Sequence, residues 1–299
     1  SDFVAKAQLA SYESVRAQFE AFAARARAPQ PATGVVYWML NSAWPSLNWQ
    51  LWDRYLDPAA AYFAARKAHE PLHVQYDYST GEVLVANRTG QPQAGLEVTA
   101  ALRDLSGRTV NTARGSVAEL GDGLVTAALA VSLPGGIGPT YFLELTLDRA
   151  GGRLARNVYW LSTVPDVLAL EDTTWQYTPT RSFADLKGLE SLPPPSIEAA
   201  VEARQAADGS IRLEVSLSNP SGSEAPALGL HACLVSGPDD PVAPTWWEDN
   251  DVVLFGGQSM RLTGSVPPGS VSVRQAADLA VELEAFGLQT PLRLPAELA

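Results

Sequence analysis

Hydrophobic residues follow two different periods along this chain, and the period changes near residue 70. In the first 25 residues, apolar side chains recur three and four positions apart, which predicts an amphipathic helix. These side chains are Tyr12, Val15, Phe19 and Phe22. From residue 72 the apolar positions alternate instead, as in Val74, Tyr76, Val83 and Val85, with Ser79-Thr80-Gly81 between them. Alternation around a glycine turn predicts an antiparallel pair of strands.

The segment between these two patterns predicts one more strand and one more helix. Residues 34–40 form an apolar run that stops at Asn41, as expected of a parallel strand buried on both faces. Asp57 followed by Pro58 predicts a helix start with Asp57 as the N-cap, and the helix should run to about Ala68. Helix, strand, loop and helix together indicate the closing unit of a (β/α)8 barrel. A whole barrel needs about 250 residues, so only its end fits here.

The remainder of the chain predicts two antiparallel sandwiches. Short alternating strands with glycine turns, including a hairpin at Gly151-Gly152, indicate an immunoglobulin-like sandwich over residues 71–164. Prolines break the pattern over residues 165–195, where three aromatic side chains predict a linker packed against apolar neighbours. They are Trp175, Tyr177 and Phe183. A second sandwich over 196–299 turns first at Asp208-Gly209, with strands around Leu230, Val252, Leu262, Val271 and Val281. The fold class is therefore mostly β, with residues 1–70 as the end of a barrel.

Composition narrows the classes of function. The formal net charge is −12, which argues against a nucleic-acid partner, and no apolar run predicts a membrane span. An acidic surface suits a cationic substrate, although acidity also serves solubility. Cys233 is the single cysteine, so no internal disulfide is expected, and with three histidines a zinc centre is not expected either. We expect no cofactor and no metal.

Several stretches, in one order along the chain, are similar to the end of the catalytic barrel and the following sandwiches of exo-β-D-glucosaminidases of glycoside hydrolase family 2. They are YWMLNS at 37–42, WQLWD at 49–53, YLDP at 55–58, AYF at 61–63, EPLHVQY at 70–76, NVYWLST at 157–163, FADL at 183–186 and PTWWEDN at 244–250. The resemblance covers nearly the whole chain. β-Mannosidases and plant-type endo-β-mannosidases share the architecture and stay open as alternatives.

The resemblance implies a retaining glycoside hydrolase that releases glucosamine from the non-reducing ends of chitosan oligosaccharides. Such enzymes are similar in using an Asn-Glu acid/base and a separate glutamate nucleophile on earlier barrel strands, and no residue here stands in an equivalent context. The start Ser1-Asp2-Phe3 fits a fragment. The expected partners are an amino-sugar oligosaccharide and the missing amino-terminal part of the enzyme. The resemblance also implies a secreted or periplasmic location. A non-catalytic carbohydrate-binding or structural sandwich protein is the alternative from another class.

The candidate site residues follow residue 40, because barrel enzymes keep their chemistry at the carboxyl ends of the strands. Trp44 is the first candidate, as an indole that stacks on a sugar ring, or else a core residue. Asn41 and Ser42 are candidates for hydrogen bonds to the sugar. Asp53 is a candidate for binding a cationic amine from the rim of the pocket.

Two other groups of residues have plainer explanations. Trp49 and Trp52 are expected to pack the loop onto the barrel. The acidic cluster at residues 248–251 lacks the ligand spacing of a calcium loop, and we expect a solvated turn there because Asp and Asn are common turn residues.

Overall fold

The computed structural model describes residues 2–26, 28–45, 50–237 and 240–298. The chain forms two compact units, one made of Ser1–Glu70 with Pro194–Ala299 and the other of Pro71–Pro193. In the part of the chain that the structure describes, no helix is long and apolar enough to cross a membrane. The architecture is mostly β, with several antiparallel sheets. Both predicted helices of residues 1–70 are present.

Helix α1 spans Asp2–Arg25 and helix α2 spans Ala60–Ala68. The predicted stripe of α1 is buried at Tyr12, Val15 and Phe19, as the three- and four-residue spacing requires, whereas its fourth member, Phe22, is 39% exposed. Its ring contact with the end of α2 is close: the rings of Phe19 and His69 lie 4.5 Å apart in a T-shaped arrangement. Helix α2 buries Phe63 completely.

The predicted strand over residues 34–40 is wrong for the described structure. No ladder forms there, and the side chains of Val36 and Trp38 are 88% and 76% exposed. Met39 has φ of 81°, which interrupts any extended run. A strand exists only through hydrogen bonds to a neighbouring strand, and the described residues supply none beside this segment. That residues 1–70 end a barrel stays a prediction.

The second unit is a sandwich of two antiparallel sheets. Its strands are β1 (Leu72–Asp77), β2 (Glu82–Asn87), β3 (Gln93–Arg103), β4 (Thr109–Leu120), β5 (Val125–Ala130), β6 (Thr140–Arg149) and β7 (Gly152–Ser162). One sheet has the order β1-β2-β5 and the other β4-β3-β6-β7. Alternate side chains of both sheets, among them Val74, Val85, Leu143 and Leu145, form one core. The predicted hairpins β1-β2 and β6-β7 are confirmed.

A buried polar contact joins the two sheets of this sandwich. The side-chain amide of Asn157 donates to the backbone oxygen of Val74 at 3.2 Å and to the Tyr159 hydroxyl at 2.8 Å. The same hydroxyl accepts from the backbone N–H of Tyr76 at 3.0 Å. The motif NVYWLST therefore carries both core side chains and the polar groups that fix the register between the sheets.

After β7 the chain forms the short pair β8 (Val167–Leu168) and β9 (Thr180–Ser182), with 3-10 turns at Leu170–Asp172 and Lys187–Ser191. The aromatic side chains that predicted a packed linker are exposed: Trp175 by 92%, Phe183 by 77% and Tyr177 by 63%. The described residues provide no apolar cover for them. A linker at residues 165–195 stays a prediction, and so do the other domain boundaries.

The first unit adds two four-stranded sheets to its helices. The strands are β10 (Glu198–Gln205), β11 (Ile211–Asn219), β12 (Ala227–Val235), β13 (Trp246–Trp247), β14 (Val252–Leu254), β15 (Gln258–Val266), β16 (Ala280–Glu284) and β17 (Leu292–Pro295). Their orders are β10-β11-β15-β13 and β14-β12-β16-β17. The strand expected around Val271 is wrong. A short helix, α3 (Val273–Ala276), begins there because Ser272 and Gln275 form a capping box.

Candidate functional site

The loop that holds three of the four candidate residues folds back on itself. The backbone oxygen of Leu40 accepts from the N–H groups of Leu51 and Trp52 at 3.1 and 3.0 Å, and the N–H of Ser42 donates to the oxygen of Trp52 at 3.3 Å. Asn41 and Trp52 thus form an isolated parallel β-bridge. The bridge brings Asn41 and Ser42 beside the residue that precedes Asp53. Trp49, expected to pack this loop, lies outside the described residues.

Asn41, Ser42 and Trp44 differ in exposure. Ser42 is 9% exposed, whereas Asn41 is exposed and Trp44 is 67% exposed. Trp44 is therefore not a core residue of the described part of the chain, and its indole face is free for a ligand or for another polypeptide segment.

Trp52 packs as expected of a structural aromatic. Its ring lies 4.9 Å from that of Tyr62 in α2 and 5.4 Å from that of Trp246 in β13. Aromatic pairs at these separations prefer such tilted or edge-on arrangements. Trp52 therefore connects the loop both to helix α2 and to the sheet of the first unit that contains β13.

Asp53 organises a tight turn. Its Oδ1 accepts from the N–H groups of Tyr55 at 2.7 Å and Asp57 at 3.0 Å, and its own N–H donates to the oxygen of Asp57. Leu56 takes a positive φ of 67° in this turn. Half of the Asp53 carboxylate is thus engaged by the backbone, and the residue lies at the wall of a cavity.

Asp57 does not cap α2, contrary to expectation. The N-cap is Ala59, without a side-chain cap, and the first helical N–H, that of Ala60, donates to Gln8 Oε1 of α1 at 3.0 Å. Pairing of Pro58 with Trp52 keeps residues 57–58 extended, so the helix begins later. The carboxyl of Asp57 is left to face the same cavity as Asp53.

This cavity, called here the acidic cavity, has a volume of about 560 Å³ and lies entirely within the first unit. Pockets for small molecules commonly measure roughly 300–1,000 Å³. Four carboxyl side chains line it together with one histidine, and its described lining contains neither Lys nor Arg. These ionisable residues are Asp53, Asp57, His231, Asp251 and Glu284. Apolar walls come from Leu9, Pro58, Phe286 and Leu288.

The acidic cluster at 248–251 is not the solvated turn that its composition predicts. Asn250 is completely buried, and its side-chain amide both accepts from the N–H of Ala232 at 2.7 Å and donates to the oxygen of Ala232 at 2.9 Å. Asp251, with φ of 55°, turns its carboxylate toward His231 of β12, whose Nδ1 lies 3.3 Å from Asp251 Oδ1. The side chain of Asp251 is 8% exposed.

The protonation states of the cavity's ionisable groups depend on the pair formed by His231 and Asp251. Burial lowers the pKa of His231, but the charge and hydrogen bond of Asp251 outweigh it and raise the pKa to about 9. Burial and the neighbouring carboxyls of Asp53 and Asp251 raise the pKa of Asp57, while His231 acts in the opposite direction. At neutral pH the cavity therefore holds one imidazolium among several carboxyl groups.

Helix α2 is anchored to the same acidic segment. Lys67 Nζ lies 2.8 Å from Asp249 Oδ2 and 2.8 Å from Glu70 Oε1, and Arg66 donates to the backbone oxygen of Trp247 at 3.1 Å. Burial lowers the pKa of Lys67, but the two carboxylates raise it above its ordinary value overall. These contacts fix the loop before Asp251 against the helix that follows the candidate loop.

Sequence reasoning singled out Asp53 but missed Asp57, Asp251 and Glu284 as neighbours of one cavity. No local signal connects them, because β12, β16 and the 248–251 segment come together only in the folded unit. His231 and Asp251 are 20 residues apart. The sequence offered only the run of acidic and amide side chains at residues 248–251, and its composition favoured a turn.

Residues 175–285 match the sequence profile of the exo-β-D-glucosaminidase Ig-fold domain. Exo-β-D-glucosaminidase of Streptomyces avermitilis is 43% identical over 294 residues, which cover 94% of this chain and 32% of that enzyme. The solved structure of exo-chitosanase CsxA of Amycolatopsis orientalis, in complex with PNP-β-D-glucosamine, has a TM-score of 0.91 and 36% identity. That match covers 98% of this chain and 34% of that one.

Mannosylglycoprotein endo-β-mannosidase of Lilium longiflorum is 30% identical over 167 residues, which cover 54% of this chain and 17% of that enzyme. The sheets and the profile match define a glycosidase-type chain with an Ig-fold domain. More particularly, the chain belongs to the exo-β-D-glucosaminidases of glycoside hydrolase family 2 as a partial chain, related to the β-mannosidases. It spans about a third of the length of the S. avermitilis relative.

Proposed function

We propose that this chain is the carboxyl-terminal part of a retaining exo-β-D-glucosaminidase that releases glucosamine from the non-reducing ends of chitosan oligosaccharides. One observation carries the proposal: the likeness to CsxA, solved with PNP-β-D-glucosamine bound, extends over 98% of this chain at 36% identity. The fold alone would not support it, because one fold hosts many activities.

In this proposal the chain supplies binding groups and no catalytic carboxyl. A retaining glycosidase needs two carboxyl groups about 5–5.5 Å apart, one as acid/base and one as nucleophile. The acid protonates the leaving oxygen while the nucleophile forms a glycosyl-enzyme intermediate, which water then hydrolyses. By the resemblance, both are glutamates of earlier barrel strands.

The binding groups that we propose are Trp44, Asn41, Ser42 and Asp53. The exposed indole of Trp44 offers a flat apolar face for the sugar ring, and the adjacent side chains of Asn41 and Ser42 offer polar groups for its hydroxyls. Asp53 contributes negative charge toward the protonated amine. We also propose, by the resemblance, a secreted or periplasmic location, which fractionation of producing cells would test.

The test is hydrolysis of PNP-β-D-glucosaminide by the polypeptide that the complete open reading frame encodes. We expect this substrate to be turned over and PNP-β-D-mannoside to be turned over far more slowly. Preference for the mannoside would indicate a β-mannosidase, the alternative that the lily relative supports. Absence of both activities in a folded, complete product would favour a non-catalytic carbohydrate-binding role.

A further inference from the structure

The acidic cavity contains a buried carboxylate oxygen without a partner. Asp251 lines the cavity, and its residue is 7% exposed. Its Oδ1 contacts His231, but its Oδ2 has no hydrogen-bond partner among the described residues. Leaving a buried carboxylate oxygen unpaired is costly, so such a group favours a ligand that donates to it.

The remaining charges also favour a cation. Asp53, Asp57 and Glu284 line the cavity together with Asp251, and His231 is its one basic side chain among the described lining residues. Glu284 is exposed, which leaves a carboxylate in contact with solvent where a charged ligand would enter. Low-dielectric walls that hold one sign of charge raise the local concentration of the opposite charge.

A metal ion fits these walls poorly. Calcium takes about six to eight oxygen ligands at short distance, and magnesium requires near-octahedral geometry. Among the residues that the structure describes, no three His, Cys, Asp or Glu side chains are grouped to hold a metal ion. The volume of about 560 Å³ is also that of a site for an organic molecule.

We propose that the acidic cavity binds an amino sugar through its primary ammonium group, with Asp251 as the main acceptor and Glu284 as the second carboxylate at the entrance. An ammonium carries three N–H donors and matches an unpaired carboxylate oxygen. Phe286 and Leu288 supply apolar surface for the face of the pyranose ring. The choice of an amino sugar over other ammonium compounds rests on the proposed function.

A glycine shapes one wall of this cavity. Gly229, in β12, has φ of 59°, and a Cβ there would lie 2.8 Å from Leu9 Cδ2 of α1. A side chain at this position would strain the backbone and displace the end of the Leu9 side chain, which forms part of the cavity wall. Glycine therefore lets the helix and the strand meet closely at one end while the ionisable side chains line the rest.

The test is a titration of the 299-residue chain with glucosamine, N-acetylglucosamine and glucose at pH 6, followed by amide NMR. We expect saturable shifts at Gly229, Gly287 and Leu288 with glucosamine, at an affinity at least tenfold above that for glucose or N-acetylglucosamine. Asp251→Asn should weaken glucosamine binding by about tenfold or more, the size of a lost charge-assisted hydrogen bond. Asparagine tolerates a positive φ, so the turn should persist.

Glu284→Gln, at an exposed position, is the second variant and should weaken binding severalfold. Asp172→Asn removes the same charge from an exposed site in the other unit and should leave binding unchanged. No saturable binding, equal binding of glucose, or full affinity in both Asp251→Asn and Glu284→Gln would overturn the proposal. Because this titration measures no catalysis, it fails or succeeds independently of the hydrolysis assay that tests the proposed function.

Discussion

The pair formed by His231 and Asp251 predicts a loss of stability between pH 6.5 and pH 9. Folding raises the pKa of His231 from 6.5 to about 9. A raised pKa means that the folded state binds the proton more tightly, so the stabilisation is fully present below pH 6.5 and is lost as the pH rises through about 9. Each pKa unit corresponds to about 1.36 kcal/mol.

The full shift corresponds to about 3 kcal/mol across this window, as an upper value. The side chain of His231 is 22% exposed, so screening by solvent reduces the expected loss to about 1–3 kcal/mol. Burial raises the pKa of Cys233 to about 12. Its thiol therefore lowers the stability of the folded state only above the ordinary cysteine pKa of about 9. Measurements should therefore end at pH 9.

The assay is urea unfolding of the 299-residue chain at half-unit steps from pH 5.5 to 9, with His231→Gln beside it. His231 belongs to the first unit, so the unfolding transition whose midpoint changes in His231→Gln is the transition of that unit. Wild type should lose stability with rising pH, while His231→Gln and Asp251→Asn should be nearly flat in that transition; Asp172→Asn is the control that keeps the slope. A flat wild-type profile, or an imidazole NMR titration centred near 6.5, would show that the pair does not stabilise the fold in this way.

Three other predictions concern separate parts of the chain. Gly264→Ala should destabilise the first unit by about 1–3 kcal/mol in urea unfolding, because a Cβ would lie 2.8 Å from Trp247 Cε3; Gly222→Ala, with open space around it, is the neutral control. Trp44→Ala in the complete polypeptide should lower kcat/KM by about 1–3 kcal/mol at unchanged thermal stability, on the scale of aromatic stacking; unchanged kinetics with a lower Tm would make Trp44 a packing residue. Limited proteolysis of the 299-residue chain should cut first before Leu72, where Val36 and Trp38 are exposed, and a protected amino-terminal segment in a monomer would contradict this.

Strongly periodic segments were predictable because their signal is local. The alternation of Val74, Val83 and Val85 defines β1 and β2, since one face of each strand must enter the core. The stripe Tyr12, Val15 and Phe19 defines α1 in the same way. In both cases the apolar positions repeat with the period of the strand or of the helix. The element can therefore be predicted without knowing its distant packing partner.

Predictions failed where a distant partner decides the outcome. Residues 34–40 have the composition of a buried strand, but ladder hydrogen bonds require a neighbour, which the described residues lack. Asp57 before Pro58 is typical of a helix N-cap. In the structure the N–H of Asp57 donates to Asp53 and Pro58 pairs with Trp52, so helix α2 begins only at Ala60. The segment around Asn250 has the composition of a turn, but the side-chain amide of Asn250 forms hydrogen bonds with the backbone of Ala232.

The most direct test of the central claim follows the products of chitosan oligosaccharides labelled at the reducing end. With the polypeptide of the complete open reading frame, we expect free glucosamine and labelled products that shorten by one residue at a time. The 299-residue chain alone should release none, because in this account the acid/base and the nucleophile lie outside it. Release of glucosamine by the 299-residue chain, abolished by a substitution within it, would contradict the account, as would an inactive complete polypeptide.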